Sequence, residues 1–194
     1  MHEASANAGH PVEIEAKLRV SDRPALERAL AALGAAPGPT EHETNTLFDD
    51  ASGTLTSRRE ALRVRETEGR GLLTYKGKAR VERGVKTRVE LESAVASASS
   101  VAAILGALGF SPRFFYEKRR TLWRFPDPAR PLVAVDETPL GLFAEIEGSE
   151  DAVRTLAKEL GIREDELLHD SYAALYLAAR EKDPSLPPEM RFRA

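Results

Sequence analysis

An α+β fold of eight antiparallel strands with flanking helices is predicted by three observations. The stretch "VEIEAKLRV", Val12 to Val20, alternates apolar and charged residues without exception, which is the period of a strand with one apolar and one charged face. Seven further strand-like segments follow, separated by turn-forming stretches such as "TEGR", "VERG" and "PDPARP". Between and after them lie amphipathic segments with helix caps and stops.

After the first strand, "SDRPALERALAALG" predicts a helix capped by Ser21 or Asp22, with Pro24 in its first turn and Gly34 as its stop. "APGPTEHE" predicts a loop, "NTLFDD" a short second strand and "ASGTLTSRRE" a polar connection. "ALRVRE" and "GLLTYKGKA" read as two strands joined by "TEGR", and "VKTRVELES" as a fifth beyond "VERG". "SASSVAAILGALGF" is a second helix. "FYEKRRTLWRF" and "PLVAVDE" are strands around the Pro-rich turn, and "GLFAEIEG" is the eighth. "SEDAVRTLAKELG" and the stretch from Glu164 to Glu181 are C-terminal helices. There is no internal repeat and no long linker, so residues 12–181 are expected to form one domain. Residues 1–11 read as a disordered tail, and "DPSLPPEMRFRA" makes 182–194 a flexible end.

The chain has 194 residues, 42% hydrophobic and 30% charged, which suits a soluble domain with a proper core. A net charge of −3 gives no overall attraction for nucleic acid or an anionic membrane, so any basic site is local. The absence of cysteine excludes a disulfide framework, a thiolate nucleophile and a Cys-based metal site. His2, His10, His42 and His169 lack metal-ligand spacing. The first eleven residues lack the apolar core of a signal peptide, and no apolar run approaches a membrane span, so a cytoplasmic location is expected.

The charged rows carry the functional signal. Glu13, Glu15, Lys17 and Arg19 share one face of the first strand. Arg63 alternates with Arg65, Lys76 with Lys78, and Lys118 with Arg120. Lys86, Arg88, Glu90 and Glu92 form a further row, Glu145 and Glu147 flank Ile146, and Asp136 opposes Val133 and Val135. Cations outnumber carboxylates on these rows although the chain as a whole is acidic. Residues i and i+2 of a strand lie roughly 7 Å apart. Like charges at that distance repel by ~0.6 kcal/mol in water and ~2.4 kcal/mol at an effective dielectric of about 20. The rows are therefore cheap on a solvated face and need counter-charges or a ligand when enclosed. Apolar rows turned outward under helices put the charged rows inside a barrel, and eight strands enclose room for side chains or one small ligand. A sandwich with charged outer faces satisfies the same pattern. Enclosed, Arg and Lys from several strands suit a polyanion. Paired carboxylates suit a hard cation, Mg²⁺ or Mn²⁺, beside phosphates. There is no Gly-rich Walker loop.

"EIEAK", Glu13 to Lys17, resembles the ExExK motif of the CYTH domain, the triphosphate tunnel metalloenzymes. That superfamily includes class IV adenylyl cyclases, thiamine triphosphatases and inorganic triphosphatases. The resemblance runs from Val12 to Leu177 through "ALRVR", "LTYKG", "KTRVELE", "EKRR", "VDETPLGLFAEIE" and "DSYAALYL", in family order. It implies an eight-stranded antiparallel β-barrel, open at both ends, with a charged tunnel. By that resemblance Glu13 and Glu15, with Glu145 and Glu147, hold Mg²⁺ or Mn²⁺, and Glu90 and Asp136 add a ligand or an outer contact. Lys17, Arg63, Arg65, Lys76, Lys118 and Arg120 bind the oxygens of a small-molecule triphosphate. Lys17, Lys76 and Arg63 are the catalytic candidates.

Arg19, Lys78, Lys86, Arg88 and Glu92 are expected at the rim, Arg119 outside and Tyr172 in helix packing. Trp123 and Phe125 read as core, and Arg58 and Arg59 as a solvated loop. One departure is Leu47, where many relatives have Tyr. The implied chemistry is either water attack on the γ-phosphorus of a nucleoside, thiamine or inorganic triphosphate, or ribose 3′-oxygen attack on the α-phosphorus of ATP. The first gives a triphosphatase, the second cyclic AMP and pyrophosphate. A non-catalytic polyphosphate binder competes with both but has little use for the carboxylates, and a homodimer is left open.

Overall fold

The alternating segment at the start of the chain forms strand β1 (Val12–Val20), which pairs with a different neighbour on each edge and so closes a sheet into a barrel. The computed structural model describes residues 11–193. In chain order β1 is followed by α1 (Arg23–Ala32), β2 (Ala36–Asp50), α2 (Thr54–Ser57), β3 (Ala61–Thr67), β4 (Arg70–Lys76), β5 (Arg80–Glu82) and β6 (Val85–Val95). Then come α3 (Ala98–Ala107), β7 (Phe110–Arg124), β8 (Leu132–Thr138), β9 (Gly141–Glu147), α4 (Glu150–Glu159), β10 (Leu167–Leu168) and α5 (Tyr172–Lys182). The order β1-β9-β8-β7-β2-β3-β4-β6 returns to β1, giving an eight-stranded antiparallel barrel; β5 and β10 are short additions. The sandwich alternative is thereby ruled out.

The apolar rows face outward and are covered, which leaves the charged rows inside. Ala16, Val133, Val135, Ala144 and Ile146 pack under Leu30 of α1 and Val153 and Leu156 of α4. Phe48 and Val64 pack under Leu105 of α3. Helix α5 has a different place. Its Tyr172 and Tyr176 pack on Phe114, Tyr116 and Phe143, whose strand parity faces the lumen, so α5 lies across one mouth of the barrel. Among the described residues no helix is long and apolar enough to cross a membrane.

Several local expectations are corrected. "APGPTEHE" is not a loop but the first half of β2, paired with β7 across an irregularity between Pro37 and Thr40. An irregularity of this kind accommodates prolines that an unbroken ladder would not. The polar connection contains α2, whose turn is held by the Asp49 carboxylate, a hydrogen-bond acceptor for Leu55 N and Thr56 N, each at 2.9 Å. The span from Glu164 to Glu181 is broken into a 3-10 turn (Glu164–Glu166), β10 and α5, the last capped by Ser171. The end of the chain, read as flexible, packs instead. Met190 is fully buried, donates its N–H to Phe115 O (3.1 Å) and accepts from Glu117 N (2.9 Å). Tyr176 donates to the carbonyls of Pro187 and Glu189 at 3.0 and 3.1 Å. Two apolar anchors, Leu186 and Met190, outweigh the proline-rich composition around them. Of the expected N-terminal tail, residues 1–10 lie outside the described residues.

Candidate functional site

The inward rows converge on a cavity of about 510 Å³ inside the barrel. Glu13 and Glu15 come from alternate positions of β1, and Glu147 of β9 stands opposite Glu15. Each of these three offers an oxygen within 4.8 Å of the others. Of the carboxylates tied to metal by resemblance, these three are brought together. Glu145 instead meets Lys17 Nζ at 3.1 Å and the Arg120 guanidinium. Asp136, fully buried, accepts from Lys118 Nζ (3.0 Å), from Arg120 Nε and Nη2 (2.7 and 2.6 Å) and from the Tyr172 hydroxyl (2.8 Å). Glu90 accepts from Lys76 Nζ at 2.6 Å.

The expected triphosphate cations Lys17, Arg63, Arg65, Lys76, Lys118 and Arg120 all line this cavity. Lys86 and Arg88, expected at the rim, line it too. Lys86 Nζ reaches Glu15 Oε1 at 2.5 Å, and Arg88 Nε reaches Glu13 Oε2 at 2.7 Å. The register of β6 against β1 places that row beside the acidic one: Glu13 faces Arg88 and Glu15 faces Lys86. Glu92, 42% exposed, holds the rim by accepting from Thr74 Oγ1 at 2.8 Å. Arg19, Lys78 and Arg119 are exposed as expected, with Arg119 paired to Glu137 at 3.1 Å, while Trp123 is core and Phe125 packs against it.

Tyr172 does more than pack. Its ring lies 4.3 Å from Lys17 Nζ and its hydroxyl holds Asp136. Sequence reasoning missed Tyr116, Glu43 and Asn45. Tyr116 lines the cavity two positions before Lys118 on the same row. Glu43 Oε2 lies 3.2 Å from Arg65 and 3.4 Å from Lys118, and Asn45 Oδ1 accepts from Arg65 Nε at 3.0 Å. Continuing the Lys118 row backward, and the Leu47 row into the supposed loop, would have found all three.

The charges tune one another. Burial pushes the Glu147 carboxyl up to about 7, with Glu145, Glu13 and Glu15 adding to the shift against Arg120. Burial opposes ionisation of Glu145, yet Lys17 and Arg120 hold it well below the usual carboxylate range. The Lys17 ammonium is buried, but Glu145 and Glu15 keep its pKa raised. The two phenols differ. Burial, together with Glu145 and Asp136, pushes Tyr172 well up, whereas at Tyr116 the cations Arg63, Lys118 and Arg65 outweigh burial and hold it low. Arg63 Nε and Asn45 Nδ2 are buried donors without a protein acceptor among the described residues. The lumen thus presents free donors and cations for an anion beside three oxygens suited to a hard metal.

Comparison with known proteins agrees with this geometry. The CYTH domain model matches residues 11–183. A Methanocaldococcus jannaschii protein named "Putative adenylate cyclase MJ0240" is 26% identical over 174 residues, covering 84% of this chain and 98% of that protein. A solved Vibrio parahaemolyticus protein of the same description shares the fold with a TM-score of 0.73 at 20% identity, over 87% of this chain and 99% of that one. A Hippeastrum protein described as a "putative adenylyl cyclase" that reveals a dominant triphosphatase activity shares it with a TM-score of 0.66 at 22% identity, over 92% and 100%.

Proposed function

Because the chain belongs to the CYTH domain family, we propose that it is a divalent-metal-dependent hydrolase of small-molecule triphosphates. The observation that carries this reading is the juxtaposition of Glu13, Glu15 and Glu147 with the lumen cations in one cavity. The donor set fits: three carboxylates are the hard oxygen ligands that Mg²⁺ or Mn²⁺ takes. When bound there, such an ion supplies charge neutralisation and polarises a phosphoryl oxygen.

The chain's own residues do the remaining work. Arg63, Arg65, Lys76 and Lys118 hold the phosphate oxygens from separate strands and so fix the chain of phosphates along the barrel. Lys17, kept cationic by Glu145, stands where negative charge develops on the transferred phosphoryl group. Asp136 and Glu145 orient Lys118, Arg120 and Lys17, so the site spends little reorganisation when the charge shifts. Of the catalytic candidates, Lys17 and Arg63 stabilise charge, and Lys76 belongs to the oxygens nearest Glu13. The composition supports a cytoplasmic setting.

Adenylyl cyclisation is the second reading, favoured by the name of the M. jannaschii relative. Phosphorus NMR of the products from ATP, thiamine triphosphate and inorganic tripolyphosphate, with Mg²⁺ or Mn²⁺, separates the two. Orthophosphate plus a diphosphate, abolished by EDTA, is the expected result. Pyrophosphate with cyclic AMP from ATP makes the protein a cyclase. Glu147→Gln should abolish turnover while keeping the thermal transition. A variant that turns over at the wild-type rate would remove Glu147 from the metal set.

A further inference from the structure

The last residues of the chain lie beyond the stretch that the CYTH domain model matches, which ends at residue 183. Part of this segment nevertheless reaches the lumen. The ladder between β7 and β8 ends with Arg119 opposite Glu137, and β8 itself ends at Thr138. Phe115 O and Glu117 N lie past that end, on a stretch of β7 that β8 does not cover. The returning chain takes this edge: Met190 donates its N–H to Phe115 O at 3.1 Å, accepts from Glu117 N at 2.9 Å, and forms a parallel bridge with Tyr116. Buried backbone groups need such a partner. Residues paired across neighbouring strands share a face. Met190 therefore enters on the lumen side with Tyr116, fully buried in one cluster with Phe114, Phe143, Tyr172 and Tyr176.

Helix α5 is gripped from two directions. At its start the Tyr172 ring lies 4.3 Å from Lys17 Nζ, the Tyr172 hydroxyl donates to Asp136 at 2.8 Å, and the Asp170 carbonyl accepts from Lys17 Nζ at 3.2 Å. Further along, Tyr176 donates to the carbonyls of Pro187 and Glu189, and Arg180 Nε donates to that of Leu186 at 3.3 Å. The first turn thus holds Lys17, and the next two hold the strap formed by residues 186–192. A lysine ammonium rides on a flexible four-carbon stem, so contacts at its tip fix where the charge sits.

We propose that Met190 is a positioning residue of this site. By filling the space between the β7 edge and α5 it holds Tyr172 against Lys17 and Asp136, so a segment outside the matched domain completes the wall of the lumen. The inference rests on the triphosphate reading above for the step that Lys17 serves. Arg63, Arg65 and Lys76, assigned to the phosphate oxygens, stand on β3 and β4, which are separated from β7 by β2. Loosening the strap therefore spares most of the phosphate contacts and displaces Lys17, and its cost falls on the chemical step.

The test compares Met190→Ala with the conservative Met190→Leu and with Leu105→Ala, which opens a hole in the outer core under α3. Tyr176→Phe, which removes only the two hydrogen bonds to the strap, replaces Met190→Ala if that variant does not fold. All are assayed well below their melting temperatures. One readout is steady-state hydrolysis of ATP, thiamine triphosphate and inorganic tripolyphosphate with Mg²⁺. The other is the NMR shift of the Lys17 ε-methylene protons in lysine-labelled protein, assigned by their loss in Lys17→Arg. The Tyr172 ring should move these protons upfield in the wild type. In Met190→Ala the signal should return downfield and kcat should fall about ten- to a hundredfold, with KM near the wild-type value. Met190→Leu and Leu105→Ala should keep both signal and kcat. An unmoved Lys17 signal, a kcat loss shared by Leu105→Ala, or a loss carried by KM would overturn the proposal and leave the hydrolase reading standing. A wild type that turns over none of the three, with the signal still lost in Met190→Ala, would sink the hydrolase reading and leave Met190 as the residue that places Lys17.

Discussion

Asp136→Asn separates two roles that a buried carboxylate in this barrel could have. The side chain is fully buried and accepts four hydrogen bonds from Lys118, Arg120 and Tyr172, between 2.6 and 3.0 Å. Burial raises its pKa, but Arg120 and Lys118 outweigh that and hold the group ionised. An amide of the same shape keeps one acceptor, loses the charge and turns an NH₂ toward donors. Breaking a buried ion pair by removing one partner costs about 3–5 kcal/mol. The lower end applies here, because Arg120 keeps Glu145 and Lys118 keeps Glu43 as counter-charges. For a chain of this size about 3 kcal/mol lowers the melting temperature by ~6–12 °C. The assay is thermal melting, followed by Mg²⁺ titration of the folded variant beside Glu13→Gln. Asp136 acts through the cations it holds, so its variant should melt early yet bind Mg²⁺ nearly as the wild type does. A wild-type melting point, or a loss of Mg²⁺ affinity equal to that of Glu13→Gln, would refute the assignment.

Two further predictions concern stability. Asp49 accepts from the amides of Asp50, Leu55 and Thr56 and from the Thr56 hydroxyl, bonds that outweigh burial and lower its pKa from 3.8 to about 2. A depressed folded pKa contributes stability present above the unfolded value and lost as pH falls through the folded one. Denaturant midpoints should therefore show about 2 kcal/mol lost between roughly pH 4 and pH 2, and Asp49→Asn should remove that acid limb. Met190→Ala should cost ~2–5 kcal/mol, as for any large side chain removed from a core. A cost near zero by chemical denaturation would return the C-terminal segment to a loose end.

Legibility in the sequence followed the length over which a pattern stays regular. The rows on β1 and β9 were readable because alternation persists and the charges sit between apolar residues, and those on β3 and β7 because pairs of cations recur at alternate positions. The first half of β2 was not, because Pro37, Gly38 and Pro39 are turn-forming residues and the strand survives them only through its irregular pairing with β7. Glu43 was lost with it, and Asn45, although inside the predicted second strand, carries no charge to mark it. Lys86 and Arg88 were misplaced because depth in a barrel depends on the register of neighbouring strands, which a one-dimensional pattern does not carry. For the same reason Tyr172 looked like helix packing: that α5 lies across a barrel mouth is a tertiary fact. The division of carboxylates between a trio close enough to share a cation and the cation holders was equally invisible, since Glu145 and Glu147 are two residues apart on one strand and differ only in what stands across from them.

Ion pairs within the lumen compete with both proposed ligands. Glu13 is held by Lys76 and Arg88, and Glu15 by Lys86, so the oxygens proposed for a divalent ion are already engaged by the cations proposed for a triphosphate. An arriving Mg²⁺ must displace these ammonium and guanidinium groups, and a triphosphate draws them off the same carboxylates. Each ligand removes the other's competitor, and linkage makes the effect reciprocal, on the order of 1–3 kcal/mol for coupled sites. Because Mg²⁺ and tripolyphosphate also bind each other in solution, the decisive variant removes a competitor instead of adding a ligand. Lys86 Nζ lies 2.5 Å from Glu15. Lys86→Met leaves that buried carboxylate with only the more distant Arg88 guanidinium at 3.8 Å, so the variant should melt earlier without metal, recover on adding Mg²⁺, and bind Mg²⁺ alone several-fold more tightly than the wild type by calorimetry. Unchanged or weaker Mg²⁺ binding would mean that Glu15 and Lys86 act as a fixed pair, and that metal and triphosphate meet in this barrel only through their own attraction.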